Sequence, residues 1–132
     1  MSRTLVVLLV LVLVSGSAAW AGVTITSPAA GSTVGPATTV TGVATERAFL
    51  VVYSEVMSDQ DLIGIVPGIR HWTNDDNSYR VKISTPRLFL RGGEVVGGAL
   101  TYVIHVKAYS QPPQDLNEAP DLGEASVTVS SQ

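Results

Sequence analysis

Apolar and polar residues alternate along much of the chain with a period of two. That period places successive side chains on opposite faces of a β-strand, so one face is buried while the other meets water. The pattern therefore predicts six or seven short strands. The clearest runs, alternating or rich in β-branched and apolar residues, cover residues 23–26, 38–44, 49–56, 79–84, 102–109 and 125–130.

Turn-forming residues separate these runs, among them Gly92-Gly93 and Pro112-Pro113. No segment after residue 21 combines a helical period with capping residues. The nearest approach, residues 59–65, is interrupted at Gly64. The expected fold class is all-β: one antiparallel β-sandwich domain over residues 22–132.

Three segments resemble bacterial immunoglobulin-like domains. Residues 25–34 (ITSPAAGSTV) look like their opening strand and Ser-Pro turn, and residues 39–44 (TVTGVA) look like their second strand. Residues 98–108 (GALTYVIHVKA) are similar to their penultimate strand. The resemblance implies an immunoglobulin-like antiparallel β-sandwich of about seven strands. Because these are motifs of turns and core strands, they bear on the fold and very little on function.

The N-terminus has the pattern of a secretory signal peptide. Arg3 precedes ten consecutive Leu and Val residues at 5–14, and Ala19-Trp20-Ala21 supplies a cleavage site of small residues. The apolar run is too short for a membrane span, which needs about 20 residues. We therefore expect residues 1–21 to be removed, leaving a protein without a membrane span that is secreted, periplasmic or at the cell surface.

Composition narrows the function classes. The 132 residues include no cysteine, which excludes disulfides and thiolate zinc sites. Eight basic against 11 acidic residues give a net charge of −3, which argues against nucleic acid as a partner. Apolar residues make up 45% of the chain, too many for intrinsic disorder.

Catalytic motifs are missing from the sequence. It contains two histidines, His71 and His105, but no Gly-x-Ser-x-Gly, His-Glu-x-x-His or phosphate-binding glycine motif. The alternation places His105 on the outward face of a strand. Acidic segments at 59–61, 74–77 and 115–118 offer oxygen ligands for calcium, but turn formation explains them more simply. We predict no enzyme, no catalytic residue, no metal and no cofactor.

Two long segments and one short motif are the candidates for partner contact. Residues 57–68 and 110–124 are expected to be long loops, and the aromatic ring of Trp72 lies beside a guanidinium in Arg70-His71-Trp72. Trp72 suits a surface anchor or a core position, and the core is favoured because large aromatic residues are usually buried. The candidate contacts are Leu62, Ile63, Ile65, Arg70, His71, Trp72, Asp115 and Asn117.

The sequence favours a non-enzymatic binding or structural module that acts through loops or an edge strand. Its expected partner is another protein, with a glycan as the alternative. Two other functions stay open: a carbohydrate-binding module that uses Trp72, and a small protease-inhibitor-like domain.

Overall fold

A computed structural model describes residues 22–96, 100–115 and 117–131. The predicted signal peptide, residues 1–21, lies outside the described residues. The residues that the structure describes form ten strands and no helix, as the all-β prediction requires. In particular, they include no helix with the length and apolar character needed to cross a bilayer.

All six runs that the alternation identified are strands. The ten strands are β1 (Val23–Ser27), β2 (Thr33–Val34), β3 (Ala37–Ala44), β4 (Phe49–Ser58), β5 (Asp61–Trp72), β6 (Ser78–Ser84), β7 (Phe89–Arg91), β8 (Glu94–Val96), β9 (Thr101–Tyr109) and β10 (Gly123–Ser131). The number exceeds the expected seven because β2, β7 and β8 are only two or three residues long and β5 occupies a predicted loop.

The strands form three sheets. One has the order β1-β3-β6, a second has the order β2-β10-β9-β4-β5, and β7 and β8 form a separate hairpin. Neighbours are antiparallel with one exception: β2 runs parallel to β10, with Thr33 opposite Ser130. The expectation of a purely antiparallel arrangement is corrected at that short edge.

The two larger sheets contribute to one apolar core. Val40 and Tyr79 belong to the three-stranded sheet, while Leu50, Ile104 and Val129 belong to the five-stranded sheet, and all five are buried in the same cluster. Burying such a side chain contributes roughly 1.5–3 kcal/mol each. The apolar residues at alternate positions of these strands therefore point into the core, as the period of two predicts.

Residues 57–68 do not form the expected loop. They continue β4, turn at Asp59-Gln60 and return as β5, which pairs with β4 along its length. The pairing with β4 shifts register twice, once at Gly68, between Pro67 and Ile69, and once at Ile63. A Cβ on Gly68 would lie 1.9 Å from the carbonyl oxygen of Val52, so the close approach there requires glycine. Gly64 and Pro67, which argue against a helix here, are compatible with an edge strand.

The strands give the domain two ends. At one end, Met57 of β4 lies opposite Thr101, and the β4–β5 turn and the β7–β8 hairpin are found there; we call it the hairpin end. At the other end, Phe49 lies opposite Tyr109, and the β9–β10 connection, residues 110–122, begins; we call it the connection end. The Tyr102 hydroxyl donates to the Pro86 carbonyl oxygen, which fixes the β6–β9 connection at the hairpin end.

Candidate functional site

The structure separates the predicted contact residues into three places. Leu62 and Ile65 are exposed on β5, whereas Ile63 is partly buried against the core. A second group lies at the opposite end of β5, and a third lies in the β9–β10 connection. The second group is Arg70, His71 and Trp72, and the third is Asp115 and Asn117.

An apolar hairpin that the sequence argument missed projects from the hairpin end. Leu90 lies opposite Val95 across β7 and β8, and the turn between them is Gly92-Gly93. Both glycines have positive φ, 57° and 84°, as a tight two-residue hairpin turn demands. Leu88, Leu90 and Val95 are 59%, 69% and 62% exposed. We call these three residues the apolar hairpin.

Exposed apolar residues are unevenly distributed over the described residues. Single exposed apolar side chains are normal, but several together mark a contact surface. Three of the six large ones lie within the eight residues from Leu88 to Val95, and Leu62 lies at the same end of the domain. The signal was present in the sequence as a Gly-Gly pair between short apolar runs, which is a hairpin pattern.

Arginine and aromatic side chains alternate at the connection end of β4 and β5. The Arg47 guanidinium carbon lies 5.0 Å from the centre of the Trp72 ring, and the Trp72 and Phe49 rings pack at 76° with centroids 5.5 Å apart. Arg70 lies 5.8 Å from the centre of the Phe49 ring. We call Arg47, Phe49, Arg70 and Trp72 the arginine–aromatic cluster.

The favoured core position for Trp72 was wrong. Trp72 is partly exposed and lies opposite Phe49, on the sheet face that turns away from the core. The next residue along β4, Leu50, points into the core and lies opposite His71. His71 Nδ1 is 2.6 Å from the Trp72 carbonyl oxygen, which can only accept. His71 therefore does not share a surface with its neighbours.

The β9–β10 connection is bound to the outer sheet face by hydrogen bonds. Tyr109, almost fully buried, donates from its hydroxyl to the Glu118 carbonyl oxygen over 3.0 Å. Arg70 Nη2 donates to the Pro113 carbonyl oxygen over 3.3 Å. These two hydrogen bonds hold Pro113 and Glu118 of the connection against the sheet.

Asp115 and Asn117 are exposed turn residues in this connection. The Asn117 N–H donates to Asp115 Oδ1 over 2.9 Å, so that carboxylate already supports the local turn. Asp121 does the same for Ser110, whose hydroxyl and N–H both donate to it. Those hydrogen bonds, the hydroxyl first, lower the pKa of the Asp121 carboxyl.

A hydrogen bond between a histidine and a carboxylate lies on the outer face of the five-stranded sheet. His105 Nε2 is 2.5 Å from Glu55 Oε1, and the His105 and Tyr53 rings stack with centroids 4.9 Å apart. The outward placement predicted for His105 is confirmed. Ser126 lies opposite His105 on β10, but within the described residues no hydrogen bond joins them. Serine, imidazole and carboxylate are thus neighbours without the contacts of a nucleophile and its base.

Lys107 lies next to this pair, 5.4 Å from the centre of the Tyr53 ring. Burial, the largest contribution, lowers the pKa of Lys107, but the hydrogen bond that its ammonium donates to Tyr53 and the nearby negative charge, Glu124 included, together outweigh burial, so the pKa is raised. Across residues 22–96, 100–115 and 117–131, no three His, Asp or Glu side chains converge as a metal-ligand set.

Comparisons with protein-family models, curated proteins and solved structures found no match for this chain.

Proposed function

We propose that this protein is a non-enzymatic binding module that binds another protein through the apolar hairpin. We also propose that its two larger sheets form an immunoglobulin-like β-sandwich, since both contribute to one core and the turn motifs of residues 25–34 resemble that family. The N-terminal pattern supports export, so the protein acts outside the cytoplasm, in the periplasm or at the cell surface.

The exposure of the apolar hairpin carries this proposal. Leu90 and Val95 face each other across strands that pair with neither large sheet, so they contribute nothing to the described core. Contact with an apolar pocket on a partner would remove them from water and contribute roughly 25 cal/mol per Å² of apolar area.

The edge strand β5 is a weaker candidate for binding by strand addition. It contains Pro67, which has no N–H to donate, and its pairing shifts register twice. Proline and bulges are the features by which exposed edges resist pairing with another strand. We therefore place the principal contact at the hairpin, with Leu62 at the same end as a secondary contact.

Photo-cross-linking of the full-length chain in the cells that carry its gene tests the proposal. A photoreactive phenylalanine analogue replaces Leu90 in one variant and Val43 in a control, because Val43 is also exposed and apolar but lies at the connection end. We expect an adduct with one protein from position 90 and none from position 43. A second change, Val95→Ser, should abolish the adduct.

Equal adducts from both positions would reject the proposal, as would an adduct that survives Val95→Ser. An adduct of twice the chain mass would show self-association instead, and a lipid adduct would show membrane contact. Val95→Ser should change the free energy of unfolding by less than about 0.5 kcal/mol, because substitutions at exposed positions rarely do more. That result separates loss of binding from loss of folding.

A further inference from the structure

We infer that the arginine–aromatic cluster is a second binding site, which takes the carboxylates of an acidic segment of a partner protein. The cluster lies at the opposite end of the domain from the apolar hairpin. It is therefore independent of the function proposed above, and either site can fail without the other.

The first observation is that both guanidinium groups lie against aromatic rings and have no acidic partner. Arg47 and Arg70 are exposed, and among the described residues neither has a carboxylate oxygen within 4.0 Å. An arginine held against a ring keeps its N–H donors directed outward and loses less freedom when it binds. The two side chains are thus partly organised before a ligand arrives.

The second observation is the number of donors left free. A guanidinium has five N–H donors in one plane, and this geometry matches the two oxygens of a carboxylate. Arg70 gives one donor to the Pro113 carbonyl oxygen, which fixes the side chain without neutralising it. Arg47 makes no such bond among the described residues. The pair can therefore receive two carboxylates.

Charge on the surrounding sheet limits the site to this edge. Val51 on β4 lies between Arg70 on β5 and Lys107 on β9. On the other side of Lys107, Glu124 on β10 lies opposite it and offsets its charge. The chain as a whole has a net charge of −3 and repels an acidic partner at long range. Binding of such a partner would therefore depend on local contacts.

The packing of Trp72 favours a protein over a glycan. A sugar platform needs an open aromatic face, whereas Arg47 covers one face of Trp72 and Phe49 packs against the ring at 76°. Tryptophan and arginine together are the residues most enriched at the centres of protein contacts. The free chemistry of the cluster is hydrogen-bond donation to anions.

The test titrates full-length protein, labelled with ¹⁵N, with a hexaglutamate peptide blocked at both ends. We expect the side-chain N–H signals of Arg47, Arg70 and Trp72 to shift. Arg47→Gln with Arg70→Gln should weaken binding about tenfold, a loss of about 1.4 kcal/mol. The matched control, Arg80→Gln with Lys82→Gln, removes the same charge from exposed positions on β6 and should weaken binding less than about twofold.

Equal losses in the two double variants would overturn the inference, because they would show only general charge attraction. Absence of binding by hexaglutamate would overturn it as well, and so would tighter binding of a hexagalacturonate. If the glutamine variant fails to fold, Arg47→Lys with Arg70→Lys keeps the charge but removes the planar donors. Full affinity in that folded variant would also reject the site.

Discussion

The two ends of this domain use opposite chemistry on a shared core. At the hairpin end, Leu90 and Val95 meet water, and their strands hydrogen-bond only to each other. At the connection end, exposed polar side chains are bonded back to the chain, as Asp121 is to Ser110 and Asp76 is to Ser78. One end exposes apolar side chains, whereas at the other end these carboxylates are bonded within the chain and the arginine–aromatic cluster keeps free donors.

The difference shows which positions of the sequence are constrained by folding and which are not. The core requires inward residues at alternate positions of β9, of which Tyr102 is the first, whereas Tyr109 at the other end of the strand lies on the outer face. Beyond the strand ends the core requires nothing, so exposed leucines there need a reason other than folding. The contact with a partner protein that we propose would supply that reason.

The largest expected effect is the loss of stability when either of the two tyrosines of β9 is replaced by alanine. Tyr102→Ala empties a position in the described core and should lower the free energy of unfolding by about 3–5 kcal/mol. Tyr109→Ala should cost less, because Tyr109 is covered only by the connection on the outer face. Urea unfolding of both variants measures the difference, and equal costs would contradict the assignment of Tyr109 to the outer face.

Alkaline pH should weaken the domain through its buried phenols. Burial raises the pKa of Tyr102 to about 12 and also raises that of Tyr79. Because the folded pKa is above the unfolded value of about 10, this contribution is complete below pH 10 and is lost as pH rises toward 12. Urea midpoints at pH 9 and pH 11 should differ, and Tyr102→Phe should reduce the difference. Tyr53→Phe, at a partly exposed position, is the control.

A smaller effect compares a turn residue from each end. Gln60 at the hairpin end and Asn77 at the connection end both have positive φ, 71° and 66°. Asparagine tolerates that conformation better than glutamine does. Gln60→Gly should therefore stabilise the protein by about 0.5–1 kcal/mol, while Asn77→Gly should change stability little. Thermal unfolding distinguishes them, and a larger gain at Asn77 would refute the argument.

The smallest effect is confined to the connection end. Hydrogen bonds from Ser78 and Ser110, the hydroxyl group first in each case, lower the pKa values of Asp76 and Asp121. A lowered pKa gives stability that is present above the unfolded value of about 3.9 and is lost as pH falls through the folded one. The amide signals of Ser78 and Ser110 should therefore move on acidification, whereas that of Gly92 stays still. A comparable shift at Gly92 would argue against a local cause.

Sequence reasoning reached the core strands because burial imposes a regular pattern on them. Residues 102–109 alternate without interruption, and β9 is found at that place. The same reasoning failed for β5, where edge position lets proline and bulges interrupt the alternation. It failed for Trp72 because the side of a sheet that a residue faces depends on its register with Phe49, which is fixed by pairing and not by local sequence.

The proposed contact surfaces were only partly predictable for the same reason. Leu62 and Ile65 were expected at a contact surface and are exposed, but on a strand rather than a loop. Arg47 was not singled out, because its role depends on the ring of Trp72 above which it lies. Arg47 and Trp72 are 25 positions apart in the sequence, and the alternation of neighbouring residues does not indicate a contact over that separation.

Pro67 and the two bulges of β5 have a consequence for behaviour at high concentration. A regular edge strand of this length is a template on which further chains can add without limit, as they do in amyloid fibres. An interrupted edge stops that addition at the first step. We therefore expect the β5 edge not to act as a template for fibres, even in concentrated solutions of the protein.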